Sequence, residues 1–428
     1  MRRSLSFLLP FVLLLALVVP LNAVRQPLRA RHGMVVAMEA QAADVGVAVL
    51  KAGGNAVDAA VAVGFAMAAT HPYAGNLGGG GFMLIRFADG RTTFIDFRER
   101  APDKASRNMY LDAKGNLTRD SIEGWRSSGV PGTVRGFEMA VNRYGRRTWA
   151  ENLAPAIELA KGFPVSYALS ESLKGSRDLA KDPESRRVFQ KGGAFYDVGE
   201  TLAQPDLTQT LERIAKNGPN EFYEGETAKR FAEEMAKHGG VISLADLKNY
   251  MAIERTPLQG TYRNYTVITA PPSSSGGIAL LEMLGILEGT GYEKGGAGSA
   301  SAIHYAAEAM RRAYADRNAY VGDPDFVKVP IAGLLDPAYL SRLRASIDPE
   351  RATPSDSVKP GKPVGSESME TTHFSVVDAS GMAVSVTYTL EAGYGVGAVV
   401  PGAGFLLNNE MGDFNGKPGV LSHPAHLP

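Results

Sequence analysis

The stretch from Thr371 to Thr389 constrains the fold of this chain more tightly than any other. His373 to Val377 and Met382 to Thr389 are β-branched or alternating runs, separated by Ala379-Ser380-Gly381. A three-residue loop with glycine at its left-handed position is a hairpin connection. Pairing Asp378 with Met382 then sets Val376 opposite Val384, Phe374 opposite Val386, Thr372 opposite Tyr388 and Thr371 opposite Thr389. The even-numbered face is largely apolar and belongs in a core; the odd-numbered face carries Thr371, His373, Ser375, Ser385, Thr387 and Thr389. Directly opposed Cβ atoms stand roughly 4.5 to 5.5 Å apart, which puts the Thr389 hydroxyl within reach of Thr371. An ordinary hairpin, rich in threonine because threonine is β-branched, accounts for the same pattern.

The residues just before the hairpin give Thr371 a chemical reading. A threonine hydroxyl is a poor nucleophile in mid-chain, but cleavage between Glu370 and Thr371 would leave Thr371 with a free α-amine beside its own hydroxyl. An α-amine titrates at about 7.7 to 8.0, close enough to working pH to serve as the base. One cut therefore creates nucleophile and base together. The Pro-, Ser- and Lys-containing stretch Ala352 to Ser366 reads as the loop leading to that bond.

Elsewhere helix and strand signals alternate, as in a single domain. Glu39 to Lys51 reads as a helix stopped by Gly53-Gly54. Asn55 then reads as an N-cap, with Asp58 at the third helical position, opening an apolar helix to about Ala69. The Ala and Val content all round that helix implies burial. Gly81 to Phe87 and Thr92 to Phe97 form a hairpin across Asp89-Gly90 and deliver Arg98 just beyond a strand end. The region from Trp149 to Leu247 is mostly helical; Tyr262 to Thr269 reads as a strand, and Ile278 to Leu287 and Ala302 to Asn318 as helices.

Arg2 and Arg3 followed by an apolar run from Leu8 to Val19 fit a signal peptide, residues 1–23, cut after Ala23. That predicts a periplasmic or secreted protein; a retained signal anchor is the alternative, disfavoured by the shortness of the run. The chain has no cysteine, so neither a thiol nucleophile nor a disulfide framework is available. With 45 basic and 45 acidic residues it has no net charge, and no basic stripe suggests nucleic acid. Gly78 to Gly81 lacks the spacing of a phosphate loop, so close backbone packing is the preferred reading. Ser273 to Gly277 lacks the order of a serine nucleophile elbow. His423 and His426 flank a proline with no third ligand nearby, so no metal site and no cofactor is expected.

Five separated segments carry a resemblance. They are Asn76 to Met83, Asp96 to Glu99, Pro271 to Gly277, Glu367 to Asp378 and Leu406 to Phe414. In this order they resemble the γ-glutamyltranspeptidase (glutathione hydrolase) family, over about His32 to Val420. The resemblance implies an α+β fold, the four-layer αββα sandwich of N-terminal nucleophile hydrolases, made as a precursor that cleaves itself before Thr371. Residues 24–370 would be the large-subunit portion and 371–428 the start of the small-subunit portion, the two fragments staying paired. It further implies that Arg98 binds the α-carboxylate of a γ-glutamyl group, that Asp413 receives its α-amine, and that Thr389 tunes the nucleophile. Donors would be glutathione or other γ-glutamyl compounds, and acceptors water, amino acids or peptides. A structural ion pair of Arg98 with Asp96 or Glu99, and a solvated turn role for Asp413, are the ordinary readings of those residues taken alone.

Two features depart from the family pattern. Glu391 and Glu410 stand where an asparagine and a glutamine often contact the substrate amine; a carboxylate can accept from an ammonium but cannot donate an amide hydrogen. The 58 residues from Thr371 to Pro428 are also far fewer than the family's small subunit. The likeness stops near Lys417 to Val420, short of the family's paired serines and of the paired glycines that form its oxyanion hole. The expectation is a chain truncated within the small subunit and inactive alone, whether as a fragment, a frameshift or a split gene. The alternatives are a cephalosporin or glutaryl acylase-like amidohydrolase, and a non-catalytic remnant.

Overall fold

The computed structural model describes residues 27–359 and 371–414. The elements used below, in chain order, are β1 (Met34–Val36), α1 (Ala40–Lys51), α2 (Ala56–Thr70), β2 (Gly80–Arg86), β3 (Thr92–Asp96), α3 (Thr133–Tyr144), α4 (Trp149–Lys161), α5 (Pro205–Asn217), β4 (Ile253–Arg255), β5 (Leu258–Tyr262), β6 (Tyr265–Thr269), α6 (Gly276–Leu287), α7 (Ala300–Tyr320), α8 (Pro337–Ala345), β7 (Thr372–Val377) and β8 (Ala383–Thr389). Among the described residues six strands form one antiparallel sheet in the order β1-β7-β8-β2-β3-β4. The hairpin β7–β8 sits inside this sheet, between strands from the other end of the chain. Its register is the one obtained by counting: Thr372 pairs with Tyr388, Phe374 with Val386 and Val376 with Val384. The Asp378 amide donates to the Met382 carbonyl at 3.0 Å, closing the turn.

The apolar face of the hairpin lies on α2, in which all residues from Ala56 to Thr70 are buried. Such a helix needs small side chains to approach its neighbours. At Gly64 a Cβ would lie 2.4 Å from the Phe137 ring of α3, and the Gly64 carbonyl accepts from the Tyr388 hydroxyl of β8 at 2.9 Å. The expected capping box is present: Asn55 Oδ1 accepts from the Val57 and Asp58 amides, and Asp58 accepts from the Asn55 amide. Asp58 does more than cap. Its carboxylate also accepts from the Arg146 and Arg147 amides and from Asn152 Nδ2, joining α2 to the α3–α4 connection. On the other side of the cap, Asp378 Oδ2 accepts from the Ala56 amide at 3.0 Å, so the hairpin turn is bolted to the start of α2.

One strand reading is corrected. Tyr262 to Thr269 is not a single strand but the second half of a hairpin: β5 and β6 pair from Tyr262–Tyr265 to Leu258–Thr269, turning at Arg263-Asn264. Both turn residues have positive φ, 48° and 67°, as a two-residue hairpin loop requires, although neither is glycine. Residues of β6 and of the polar face of the main sheet line one cavity from opposite sides, and α6 packs behind the ribbon against α7 and α8. Helix, sheet, ribbon and helix therefore follow one another as four layers. The expected signal peptide, the Glu370 side of the cleavage bond, residues 360–366 of the expected loop, and His423 and His426 lie outside the described residues.

Candidate active site

Every described site residue expected from the sequence lines a single cavity of about 370 Å³. Thr371 and Thr389 lie at the entry end of the hairpin, one ladder step beyond the Thr372–Tyr388 pair. Arg98 arrives from the end of β3, Glu391 from the residue pair after β8, and Glu410 and Asp413 from the turn Glu410–Asp413. Glu99, His373, Ser274 and the β6 residues Ile268 and Thr269 also line it.

The run Gly78 to Gly81 makes this convergence possible. A Cβ on Gly79 would lie 2.1 Å from the Thr389 carbonyl oxygen, one on Gly80 2.5 Å from Glu99 Oε2, and one on Gly81 2.3 Å from the Thr387 carbonyl oxygen. The close-packing reading of these glycines is thus the one observed. Asn76 fastens the same place, donating to the Thr389 carbonyl at 2.8 Å and accepting from the Gly79 amide. Asn408 and Asn409 do the same for the carboxylate turn. Asn408 Nδ2 donates to the Gly78 and Gly129 carbonyls, and its Oδ1 accepts from the Glu410 amide; Asn409 Oδ1 accepts from the Ala392 amide. These asparagines are buried clamps for the acidic side chains beside them.

The electrostatics centre on one guanidinium. Arg98 Nη2 pairs with Glu410 Oε1 at 2.6 Å and also with Asp413 Oδ2. Its guanidinium lies 5.8 Å from the Phe82 ring centroid, and its carbonyl accepts from the Tyr250 hydroxyl at 2.7 Å. The ion pair weighed from sequence, with Asp96 or Glu99, is not the one made: Asp96 pairs with Arg255 and only accepts from the Arg98 amide. Burial pushes the Glu410 carboxyl well above the usual carboxylate range, and the neighbouring Glu99 adds to the effect. Burial likewise raises Glu99, against the pull of Arg98. Glu391, buried, takes a left-handed φ of 77°, a conformation that a non-glycine residue holds only when its surroundings impose it. Its amide donates to Thr389 Oγ1 at 2.8 Å, which ties this strained residue to the hydroxyl beside Thr371.

His373 was placed on the polar face by the sequence, but its role was not read. Its Nδ1 lies 2.7 Å from Thr387 Oγ1 and its Nε2 3.1 Å from Ser375 Oγ. Burial lowers its pKa, favouring the neutral ring. Glu99 was read only as a pairing partner for Arg98. No pattern in the sequence tells that its side chain turns inward beneath Gly80.

The layered fold and the threonine-headed strand define the class as an N-terminal nucleophile hydrolase, and solved structures carry the same likeness. The chain superposes on the cephalosporin acylase from Bacillus halodurans with a TM-score of 0.82 at 30% identity, covering 94% of this chain and 73% of that one. For the γ-glutamyltranspeptidase of Helicobacter pylori the TM-score is 0.76 at 42% identity, covering 78% of this chain and 97% of that one. The glutathione hydrolase proenzyme of Escherichia coli (strain K12) is 52% identical over 398 residues, which are 92% of this chain and 69% of that protein. The Gamma-glutamyltranspeptidase family profile matches residues 42–427. The chain belongs to the γ-glutamyltranspeptidase family.

Proposed function

We propose that this chain carries the nucleophile and the γ-glutamyl-binding end of a self-processing γ-glutamyltransferase and glutathione hydrolase. The observation that supports this reading above all is the shared cavity, in which an Arg98–Asp413–Glu410 ionic cluster stands beside Thr371. A zwitterionic α-amino acid group fits such a cluster: its carboxylate goes to Arg98 and its ammonium to Asp413, with Glu410 and Glu391 as further acceptors. An acylase substrate without an α-amine would give Asp413 no ammonium to accept from, which disfavours that alternative.

In the proposed mechanism the Thr371 hydroxyl first attacks the carbonyl of Glu370; the Glu370–Thr371 C–N bond breaks, leaving an ester and a free α-amine, and water hydrolyses the ester to release the Glu370 carboxylate and restore the Thr371 hydroxyl. The mature Thr371 Oγ1 then attacks the γ-carbonyl carbon of the donor while the α-amine takes the hydroxyl proton. The amide C–N bond breaks, the leaving amine receives that proton, and a γ-glutamyl ester remains on Thr371. Water or an amino-acid or peptide amine attacks the ester and releases Thr371. Thr389, held by the Glu391 amide, tunes the Thr371 hydroxyl. Export to the periplasm or beyond is part of the same proposal, resting on residues 1–23.

The test is expression of the chain alone, and with the remaining segment of the E. coli relative supplied as a second polypeptide, assayed with a γ-glutamyl anilide. Cleavage should give a small fragment beginning Thr-Thr-His-Phe. Thr371→Ala should stay uncut and Thr371→Ser should cut more slowly. Turnover of the anilide in at least one arm is the expected outcome; efficient cutting in Thr371→Ala would sink the nucleophile assignment. In the active arm, Arg98→Ala should weaken donor binding by about 2 to 5 kcal/mol, read as a raised KM, and leave cleavage intact.

A further inference from the structure

The ionic cluster accounts for one end of the cavity. The wall formed by the connection from β6 into α6 has a different character: Ile268, Thr269, Ala270 and Ser274 carry no charge. Two contacts fix this wall from behind. A Cβ on Gly277 would lie 1.9 Å from the Ala270 carbonyl oxygen, so the first turn of α6 is pressed directly on the backbone of the wall. Ser275, the residue that precedes α6, is 6% exposed, and its hydroxyl accepts from Arg317 Nε of α7 at 2.8 Å. Arg317 is itself 7% exposed. Its Nη1 donates to Asn318 Oδ1, and its guanidinium lies 5.4 Å from the Tyr314 ring. The preceding residue, Asp316, accepts from the Tyr339 hydroxyl of α8, so two consecutive residues of α7 bind α6 and α8 at once.

The Arg317–Ser275 hydrogen bond fixes the end of this loop where it enters α6. We propose that Arg317 is a positioning residue. Acting through Ser275, it sets where Ser274 and the Thr269–Ala270 backbone stand relative to Thr371, and so how firmly the uncharged peptide portion of the donor, beyond the γ-glutamyl group, is held. The inference rests on the donor site proposed above, and it separates the two ends of the donor: charge recognition by the Arg98 cluster, and peptide recognition by a wall that Arg317 holds in place.

Hydrogen exchange on the full 428-residue chain in a Thr371→Ala background, which removes turnover, tests this in two stages. Without ligand, Arg317→Met and Ser275→Ala should each speed exchange of the amides of residues 273–277 by about tenfold or more. The double variant should go no further than the singles, α2 should be unaffected, and Arg317→Lys, which keeps a cationic donor, should fall between. Unchanged exchange at 273–277 in Arg317→Met overturns the proposal. With saturating ligand, L-glutamate should protect residues 408–413 only, whereas glutathione should protect both 408–413 and 269–277, the latter protection being lost in Arg317→Met. Protection at 408–413 without protection at 269–277 by glutathione overturns this inference and leaves the donor site standing. Protection at neither removes the donor site and this inference with it.

Discussion

The two flanks of the cavity are held together by different physics. Behind the main sheet, α2 packs with α1, α3 and α4 as an almost wholly apolar body, with Phe65, Phe97, Phe137 and Tyr388 in edge and tilted ring contacts. Behind the ribbon, Ile286, Ala309 and Ile347 form a small buried apolar cluster with partly buried neighbours such as Met283 and Leu340, and Ile278, Leu281 and Ala313 are buried as well. Charge is buried among them: Glu282, Glu308, Arg312, Asp316 and Arg317. Apolar burial tolerates no loss of volume but is indifferent to pH. A buried ionic network tolerates reshaping but is sensitive to protonation and to the loss of one partner.

The largest effect should come from volume on the apolar flank. Phe137→Ala should destabilise the chain by about 3 to 5 kcal/mol, measured by urea unfolding; a loss near 1 kcal/mol would mean that α2 and α3 are not packed as one body. On the charged flank, Arg312 Nη1 donates to Glu308 Oε2 at 2.6 Å, and Glu308 also accepts from the Thr353 amide and hydroxyl. Arg311 Nη1 also pairs with Glu308 at 2.6 Å, so Arg312→Met should cost about 1 to 3 kcal/mol by removing one of two cationic partners of a buried carboxylate, whereas Arg312→Met combined with Glu308→Leu should recover much of that loss. If the double variant is no better than the single, packing and not charge is what Arg312 supplies. The Thr353 and Arg312 hydrogen bonds outweigh burial and hold the Glu308 carboxyl at about 2, so its contribution persists above the ordinary value of 4.5 and is lost as pH falls toward 2.

The sharpest test is a slope. Burial, and then the neighbouring Asp316 carboxylate, raise the Glu282 carboxyl from 4.5 to about 10. The folded chain therefore keeps a proton that the unfolded chain releases, and stability should fall as pH rises from about 4.5 toward 10. Glu282→Gln stays neutral at every pH and should flatten that decline between pH 5 and pH 9 without altering Phe137→Ala. Melting curves of both proteins across this range decide it; parallel slopes would mean that Glu282 is not the titrating group.

How legible all this was in the sequence differs by level. The β7–β8 register followed from counting because a three-residue loop and a strict alternation leave one pairing that buries one face. The α2 cap was readable because its donors and acceptors lie within three residues of each other. The β5–β6 turn was missed because Arg263-Asn264 lacks the glycine by which such turns are ordinarily recognised. The resemblance named Arg98 and Asp413, but pattern could not show that they pair with one another across 315 positions. The clamps Asn76, Asn408 and Asn409 fall inside the segments that carry the resemblance, yet the pattern does not reveal their role, since a buried asparagine acquires its meaning from backbone groups far away in the chain.

The interior position of β7–β8 bears on how the molecule is made. Strands β1 and β2 flank this hairpin in the finished sheet, yet a ribosome delivers them long before residues 372–389. At roughly 5 to 20 residues per second, the nascent chain must carry two unsatisfied strand borders for a time on the order of tens of seconds, with α2 lacking the hairpin face that covers it. Pairing that depends on such distant segments is slow and prone to association with other chains. Rapid release from the ribosome, or a holdase on the emerging segment, should therefore govern the yield of this protein more than the stability of its completed sheet does.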